Sequence, residues 1–139
     1  MASLIYNSAV RDNAVGNIDF DTDTFWAMLT TSAYTENKDT HTKRSDVTGE
    51  VSGAGYTAGG QVVAVTVGAV DTANDRVVIT FGAISWPAST ITARKMVVYK
   101  RRGGVATADE LVFVNDFGSD QISVSGTFSV AASTITLQN

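Results

Sequence analysis

Three aspartates at alternate positions, Asp19, Asp21 and Asp23, are the first residues whose types and spacing could do chemistry. In an extended segment their side chains lie on one face, and carboxylate oxygens are ligands that Ca²⁺ prefers. An EF-hand loop also needs glycine at its sixth position and glutamate at its twelfth, where this chain has Thr24 and Thr30. The residues favour a solvated turn, so we predict that the protein binds no metal and no cofactor.

His41 is the only histidine, and the chain contains no cysteine. A histidine acts as a general base only when a reacting group lies within hydrogen-bond reach. Asp39 and Asp46 are near it in sequence, but the G-x-S-x-G turn that presents a catalytic serine is absent. The glycines of residues 53–60 match neither the dinucleotide-binding nor the P-loop spacing. We therefore predict that the protein is not an enzyme and has no catalytic residues.

Positive charge is concentrated in one predicted β-hairpin. Its first strand runs to Lys100, Gly103-Gly104 breaks the chain, and Leu111 to Val114 supplies the second strand. In a chain of net charge −4, such a concentration favours a surface that meets an acidic protein partner. Five of the ten Lys and Arg residues form this basic hairpin surface: Arg94, Lys95, Lys100, Arg101 and Arg102.

The overall charge argues against nucleic acid as that partner. With a sequence pI of about 4.7, the chain as a whole repels a polyanion. No apolar run approaches the ~20 residues that a membrane-spanning helix needs, and the N-terminal residues lack the features of a signal peptide. We expect neither nucleic acid nor membrane among the partners.

Segments of β-strand character recur at intervals of roughly ten to fifteen residues, which is typical of sandwiches and barrels. We predict one domain over residues 1–139, an all-β, jelly-roll-like β-sandwich of about eight strands. One short helix is predicted near residues 4–14, with Ser3 as its N-cap. Residues 31–50 are polar without strand patterning, which predicts a surface arm. The glycines of residues 53–60 predict a backbone that turns sharply or passes close to a neighbour.

Apolar residues in the predicted strands indicate the interior of the sandwich, because successive side chains of a strand point to opposite faces. Trp26 lies in a strand that is apolar on both faces and is predicted to be buried, whereas Trp86 is predicted to lie free at a loop edge. The predicted core consists of Phe25, Leu29, Val63, Val65, Val78, Ile79, Phe81, Val97, Tyr99, Leu111, Phe113 and Phe128.

Four segments together resemble one family. They are LIYNSAVRDNAVGNIDFDTDTFWAMLTTSAY, EVSGAGYTAGG, WPASTITARKMVVYK and FVNDFGSDQISVSGTFSV. The chain is similar through them to small virion proteins of tailed bacteriophages, some of which are decoration, or cement, proteins of the capsid. The resemblance implies an all-β domain that self-associates, as a dimer or trimer, and binds the major capsid protein on the outside of the shell. It also implies a virion protein that is made in the host cytoplasm.

Two surfaces are predicted to bind the partner. One is the N-terminal segment around Leu4, Ile5 and Tyr6, which is too short to fold alone and would gain order on a neighbour. The other is the basic hairpin surface defined above. The alternative function is a tail-associated or surface carbohydrate-binding module, in which Trp26 or Trp86 would stack on a sugar ring.

Overall fold

The computed structural model describes residues 3–139 and confirms an all-β sandwich with eight strands and one short α-helix, α1 (Asn7–Ala14). Short 3₁₀ turns lie at Arg44–Asp46 and Ala106–Ala108. The strands are β1 (Leu4–Ile5), β2 (Phe25–Thr30), β3 (Gln61–Val63), β4 (Val65–Val67), β5 (Arg76–Phe81), β6 (Ile84–Lys100), β7 (Leu111–Val130) and β8 (Ser133–Gln138).

The strands form two antiparallel sheets of unequal size. The larger sheet has the order β1-β7-β6-β2-β3, and the smaller has the order β4-β5-β8. The rings of Phe81 in β5 and Phe113 in β7 lie 4.9 Å apart between centroids, edge to face, so the two sheets pack against each other. Strands β1 and β8 are each an outer strand of their own sheet.

The predicted hairpin is confirmed and is longer than its sequence pattern indicates. β6 and β7 pair from Ile84 with Val130 to Tyr99 with Leu111, with several register shifts. The rings of Phe117 and Phe128 lie 6.1 Å apart, although both belong to β7. A straight strand would separate these residues by about 36 Å, so the register shifts must curl the ribbon over on itself.

Ten of the twelve predicted core residues are buried. Val65 and Val78 are only half-buried. Val78 is adjacent to Ile79 in β5, and neighbouring residues of a strand cannot point to the same face. Because Ile79 and Phe81 point into the core, Val78 must point away from it.

The predicted helix begins three residues late. Leu4 and Ile5 pair with Val114 and Phe113 as β1, and Tyr6 instead of Ser3 is the N-cap residue of α1. The apolar spacing from Leu4 onward fits a helix or a strand. Leu4 and Ile5 form a strand because pairing with the open edge of β7 satisfies backbone N–H and C=O groups of both segments.

Residues 31–50 lack strands, as predicted, and are fastened to the body of the protein. Tyr34 is buried, and Arg44 Nε lies 2.8 Å from Asp109 Oδ2, on the hairpin side of the molecule. The 3₁₀ turn at Arg44–Asp46 lies within this segment. Most of this segment lies at the surface, as predicted, and these contacts hold it against the body of the fold.

The glycine segment passes close to its neighbours, which confirms that prediction. Gly60 has a φ of +79°, and a Cβ there would lie 1.8 Å from the carbonyl oxygen of Ala27. Gly55 has a φ of +80°, and its Cβ would lie 2.7 Å from the Cα of Ser89. A side chain at either position would collide with backbone, so glycine is required there.

Candidate interaction surface

The predicted basic hairpin surface is largely neutralised by acidic side chains of the same chain. Arg94 Nε lies 2.9 Å from Asp116 Oδ1, and Lys100 Nζ lies 2.8 Å from Asp23 Oδ2. Both acidic partners are buried or mostly covered, so these pairs are more than transient surface contacts.

Lys95 is buried and cannot take part in a free basic surface, which corrects its assignment as a partner-binding residue. Its Nζ donates to the carbonyl oxygen of Tyr34 at 2.7 Å and forms an ion pair with Glu36. Glu36 belongs to the polar segment that follows β2, so this pair fastens that segment to β6.

The two remaining arginines are also engaged. The guanidinium of Arg101 lies over the ring of Trp26, 3.9 Å from its centroid, in a cation–π contact. Arg102 forms a bidentate pair with Glu110, with its Nε 2.7 Å from Oε1. All five cations of the predicted hairpin surface therefore have partners inside the fold, and little free positive charge remains there.

Asp109 and Glu110 are buried carboxylates immediately before β7. Lys43 and Arg102 lie against Glu110, and Arg44 lies against Asp109. Burial alone would raise the pKa of Glu110, but its hydrogen bond to Arg102 and the charge of Lys43 outweigh burial and hold this pKa below its ordinary value. The cluster joins the segment before β3 to the hairpin.

Acidification is expected to destabilise the protein through such carboxyls. In the folded state the pKa of Glu110 lies below its value in the unfolded chain, about 4.3. The stabilisation is therefore complete above that pH and disappears as the pH falls through the lowered pKa. Urea midpoints should fall between about pH 5 and pH 3, and less steeply for Glu110→Gln. Equal pH dependence in both proteins would mean that this pair contributes nothing.

Of the predicted N-terminal binding residues, Ile5 alone is exposed. Leu4 is half-buried in β1, and Tyr6 is fully buried with its hydroxyl 2.7 Å from the Tyr34 hydroxyl. Burial and this hydrogen bond raise the pKa of Tyr6, so it stays protonated. Tyr6 therefore stabilises the fold and is removed from the candidate binding residues.

Both tryptophans are engaged within the fold. Trp86 is buried, 5.9 Å from the ring of Tyr56 and 6.2 Å from that of Phe128, so the prediction of a free ring was wrong. In the register of β6 with β7, Trp86 lies opposite Phe128 and points into the core. The position of Trp86 before Pro87 in the sequence did not indicate this burial. Trp26 is half-buried beneath Arg101. No observation favours a carbohydrate-stacking platform at either residue.

The remaining candidates for chemistry have local structural roles. Asp23 Oδ2 accepts the Asp19 backbone N–H at 2.8 Å, and Asp19 Oδ1 accepts that of Asp21 at 2.9 Å, which forms a tight turn. His41 Nδ1 lies 2.9 Å from the Tyr34 hydroxyl. Within residues 3–139, no three His, Cys, Asp or Glu side chains are grouped closely enough to hold a metal ion.

An apolar groove, which we call the seam, opens between β8 on one side and β1 with α1 on the other. Two depressions of about 460 and 190 Å³ adjoin here and share Ile5 and Ile135. Ile5, Val10 of α1 and Leu137 of β8 expose apolar side chains along it. None of the residues that line either depression is charged.

A second exposed apolar feature is the outer pair, Ile122 and Val124 of β7. These side chains are 68 % and 75 % exposed and stand at alternate positions, so they share a face of the hairpin. Thr90 and Thr92 of β6 are exposed beside them. The outer pair shares no residue with the seam.

Sequence reasoning named Ile5 of the seam but missed the other exposed residues of the seam and the whole outer pair. The available signals were Val10 on the exposed side of the helix and Ile122 with Val124 at strand alternation, but each residue alone is an ordinary exposed valine or isoleucine. Only the fold shows which of them are neighbours. Among the described residues, no helix is long and apolar enough to cross a membrane. Comparison of the chain with protein-family models, with curated proteins and with solved structures finds no significant match.

Proposed function

We propose that the protein is a structural virion component, a decoration protein that binds the outside of the major capsid protein shell of a tailed bacteriophage. The observation that carries the proposal is that the exposed apolar side chains and the charged side chains of the hairpin have separate roles. Apolar side chains are exposed at the seam and at the outer pair, while the cations of the hairpin are used in pairs within the chain. The resemblance of its segments to virion proteins supplies the kind of partner.

The arrangement suits a protein that adds interface area to a shell. Apolar contact is non-directional and grows with the area removed from water, so it needs no cofactor or reacting group. The platform beneath the outer pair is a paired β-ribbon with a buried inner face, so little conformational entropy is lost on binding. We assign the outer pair to the shell, because it stands on the longest hairpin of the molecule.

Binding to undecorated shells is expected to change little across a salt series. Exposed charge contacts weaken when the Debye length falls to about 10 Å at 0.1 M salt, whereas burial of apolar side chains does not. The measurement is co-sedimentation of the protein with shells, with the number of bound copies counted at saturation. Absence of binding, or only a few copies at one site of the particle, would reject a decoration role.

The double variant Ile122→Ser/Val124→Ser is expected to weaken shell binding by at least about tenfold, since complete burial of each such side chain is worth ~1.5–3 kcal/mol. The matched control is Val70→Ser/Val105→Ser, whose valines are 72 % and 68 % exposed but lie in loops away from the outer pair. The control should bind as the unmodified chain does. Equal losses in both variants would mean that the outer pair is not the contact.

A further inference from the structure

The seam exposes a free strand edge as well as apolar side chains. β8 is the outer strand of the smaller sheet and pairs with β5 over six consecutive residues without a register shift. In the part of the chain that the structure describes, the backbone of β8 forms hydrogen bonds with β5 alone. Its other edge therefore presents a regular row of unpaired N–H and C=O groups.

The other outer strands, and the edge of β7 that extends beyond β1, are short or protected. β1, β3 and β4 have two or three residues each. Beyond Val114, the edge of β7 carries Asp116 and Asp120 and is interrupted by left-handed residues at Gly118 and Ser125. Charges and irregular backbone of this kind are how proteins prevent edge-to-edge association.

β8 has none of these protections. Its sequence, Ser-Thr-Ile-Thr-Leu-Gln, contains no charged residue, no proline and no glycine. We propose that β8 pairs antiparallel with β8 of a second copy, so that the two smaller sheets join into one six-stranded sheet and the chain is a two-fold symmetric dimer. The pairing rests on the fold and does not depend on the proposed role at a shell.

The absence of charged residues from the seam suits a second copy as the occupant. Each copy carries a net charge of −4, so two copies repel each other in general, but no charged residue lines the seam. An uncharged strand that pairs with itself places no like charges opposite each other. Two acidic copies can therefore approach each other through the uncharged β8 edge.

The alternation of apolar and polar side chains in β8 is also compatible with antiparallel pairing of two β8 strands. A two-fold axis perpendicular to the sheet, centred on Thr136, places Thr136 opposite Thr136 of the second copy and Ile135 opposite Leu137 of the second copy. Apolar side chains then meet on the inner face and threonines on the outer face. The axis keeps both sandwiches on the same side of the joined sheet, so the two seams face each other and cover Ile5 and Val10.

The test is the oligomeric state of the full chain, measured by size-exclusion chromatography with light scattering. We expect a dimer for the unmodified chain and at least about a tenfold higher dissociation constant for Thr136→Lys, which places lysine opposite lysine. The matched control is Thr66→Lys, an exposed threonine at the centre of β4, the other outer strand of the same sheet. Mixing Thr136→Lys with Thr136→Glu should restore the dimer.

The absence of cysteine from the chain permits a direct check of the register. In Thr136→Cys, opposed Cα atoms of an antiparallel pair lie about 4.5–5.5 Å apart, within disulfide range, so mild oxidation should yield a covalent dimer. A monomeric unmodified chain, a dimer insensitive to Thr136→Lys, or a dimer that does not cross-link would each overturn the proposal. Shell binding is measured separately, so a dimer that does not bind shells rejects the decoration role and leaves the pairing intact.

Discussion

Replacing Phe81 with alanine is expected to lower the free energy of unfolding by about 3–5 kcal/mol, the range for a buried phenylalanine whose cavity cannot close. Phe81 is 1 % exposed and lies between the two sheets. Its ring is 4.9 Å from Phe113, 6.1 Å from Phe20 and 6.2 Å from Phe25, so one truncation removes three aromatic contacts as well as buried area.

Urea unfolding of Phe81→Ala beside Phe117→Ala measures this effect. Phe117 is half-buried and has a ring contact with Phe128 at 6.1 Å, so the same truncation there should cost far less. The loss should appear as a lower midpoint with an unchanged slope, because the area exposed on unfolding hardly changes. Similar losses in both variants would contradict the central position of Phe81 between the sheets.

The second large effect is expected from the buried ion pair of Lys95 and Glu36. Replacing Lys95 with methionine should destabilise the protein by about 3–5 kcal/mol, because it leaves a buried carboxylate without its cation. Both side chains are almost completely covered, and within residues 3–139 Glu36 Oε1 has no hydrogen-bond partner. Lys95 Nζ also serves the carbonyl oxygen of Tyr34, which the variant leaves unsatisfied.

The double variant Lys95→Met/Glu36→Gln distinguishes loss of the pair from loss of packing. A buried ion pair contributes little net stability when both partners are replaced, since the desolvation of two charges is also removed. The double variant should therefore recover a large part of the stability lost in Lys95→Met, as measured by urea midpoints. If it is no more stable than the single variant, the charge of Glu36 is not the cause of the loss.

The acid-sensitive carboxyls and the buried pair have a common consequence for function. Charged side chains of the hairpin form ion pairs with residues of the connecting segments or of the hairpin loop, and these ion pairs hold the segments in place. Under the proposed function, contacts with a partner would then be made by side chains without charge, at the seam and the outer pair. A dimer joined through β8 would carry two outer pairs, and two linked contacts bind more tightly than one where both can engage the same shell.

The sequence by itself determined the fold class, the presence of the hairpin and most of the core. Each depends on local signals: apolar runs of strand length, glycines between them, and alternation that assigns a face to each residue. Phe25, Phe81 and Phe113 are buried where their strand patterns predict them. The close approach of backbone at the glycine segment was also predictable, because only glycine tolerates it.

Only the tertiary structure decided how these elements meet. Lys95 pairs with Glu36, 59 positions away in the sequence, and Arg44 pairs with Asp109, 65 positions away. The sequence therefore predicted a basic hairpin surface, whereas in the fold these cations form ion pairs with distant carboxylates. Leu4 and Ile5 became a strand because β7 had an open edge. Local patterns specify what an element is, whereas strand register and sheet order decide its neighbours, and those depend on contacts between residues far apart in the chain.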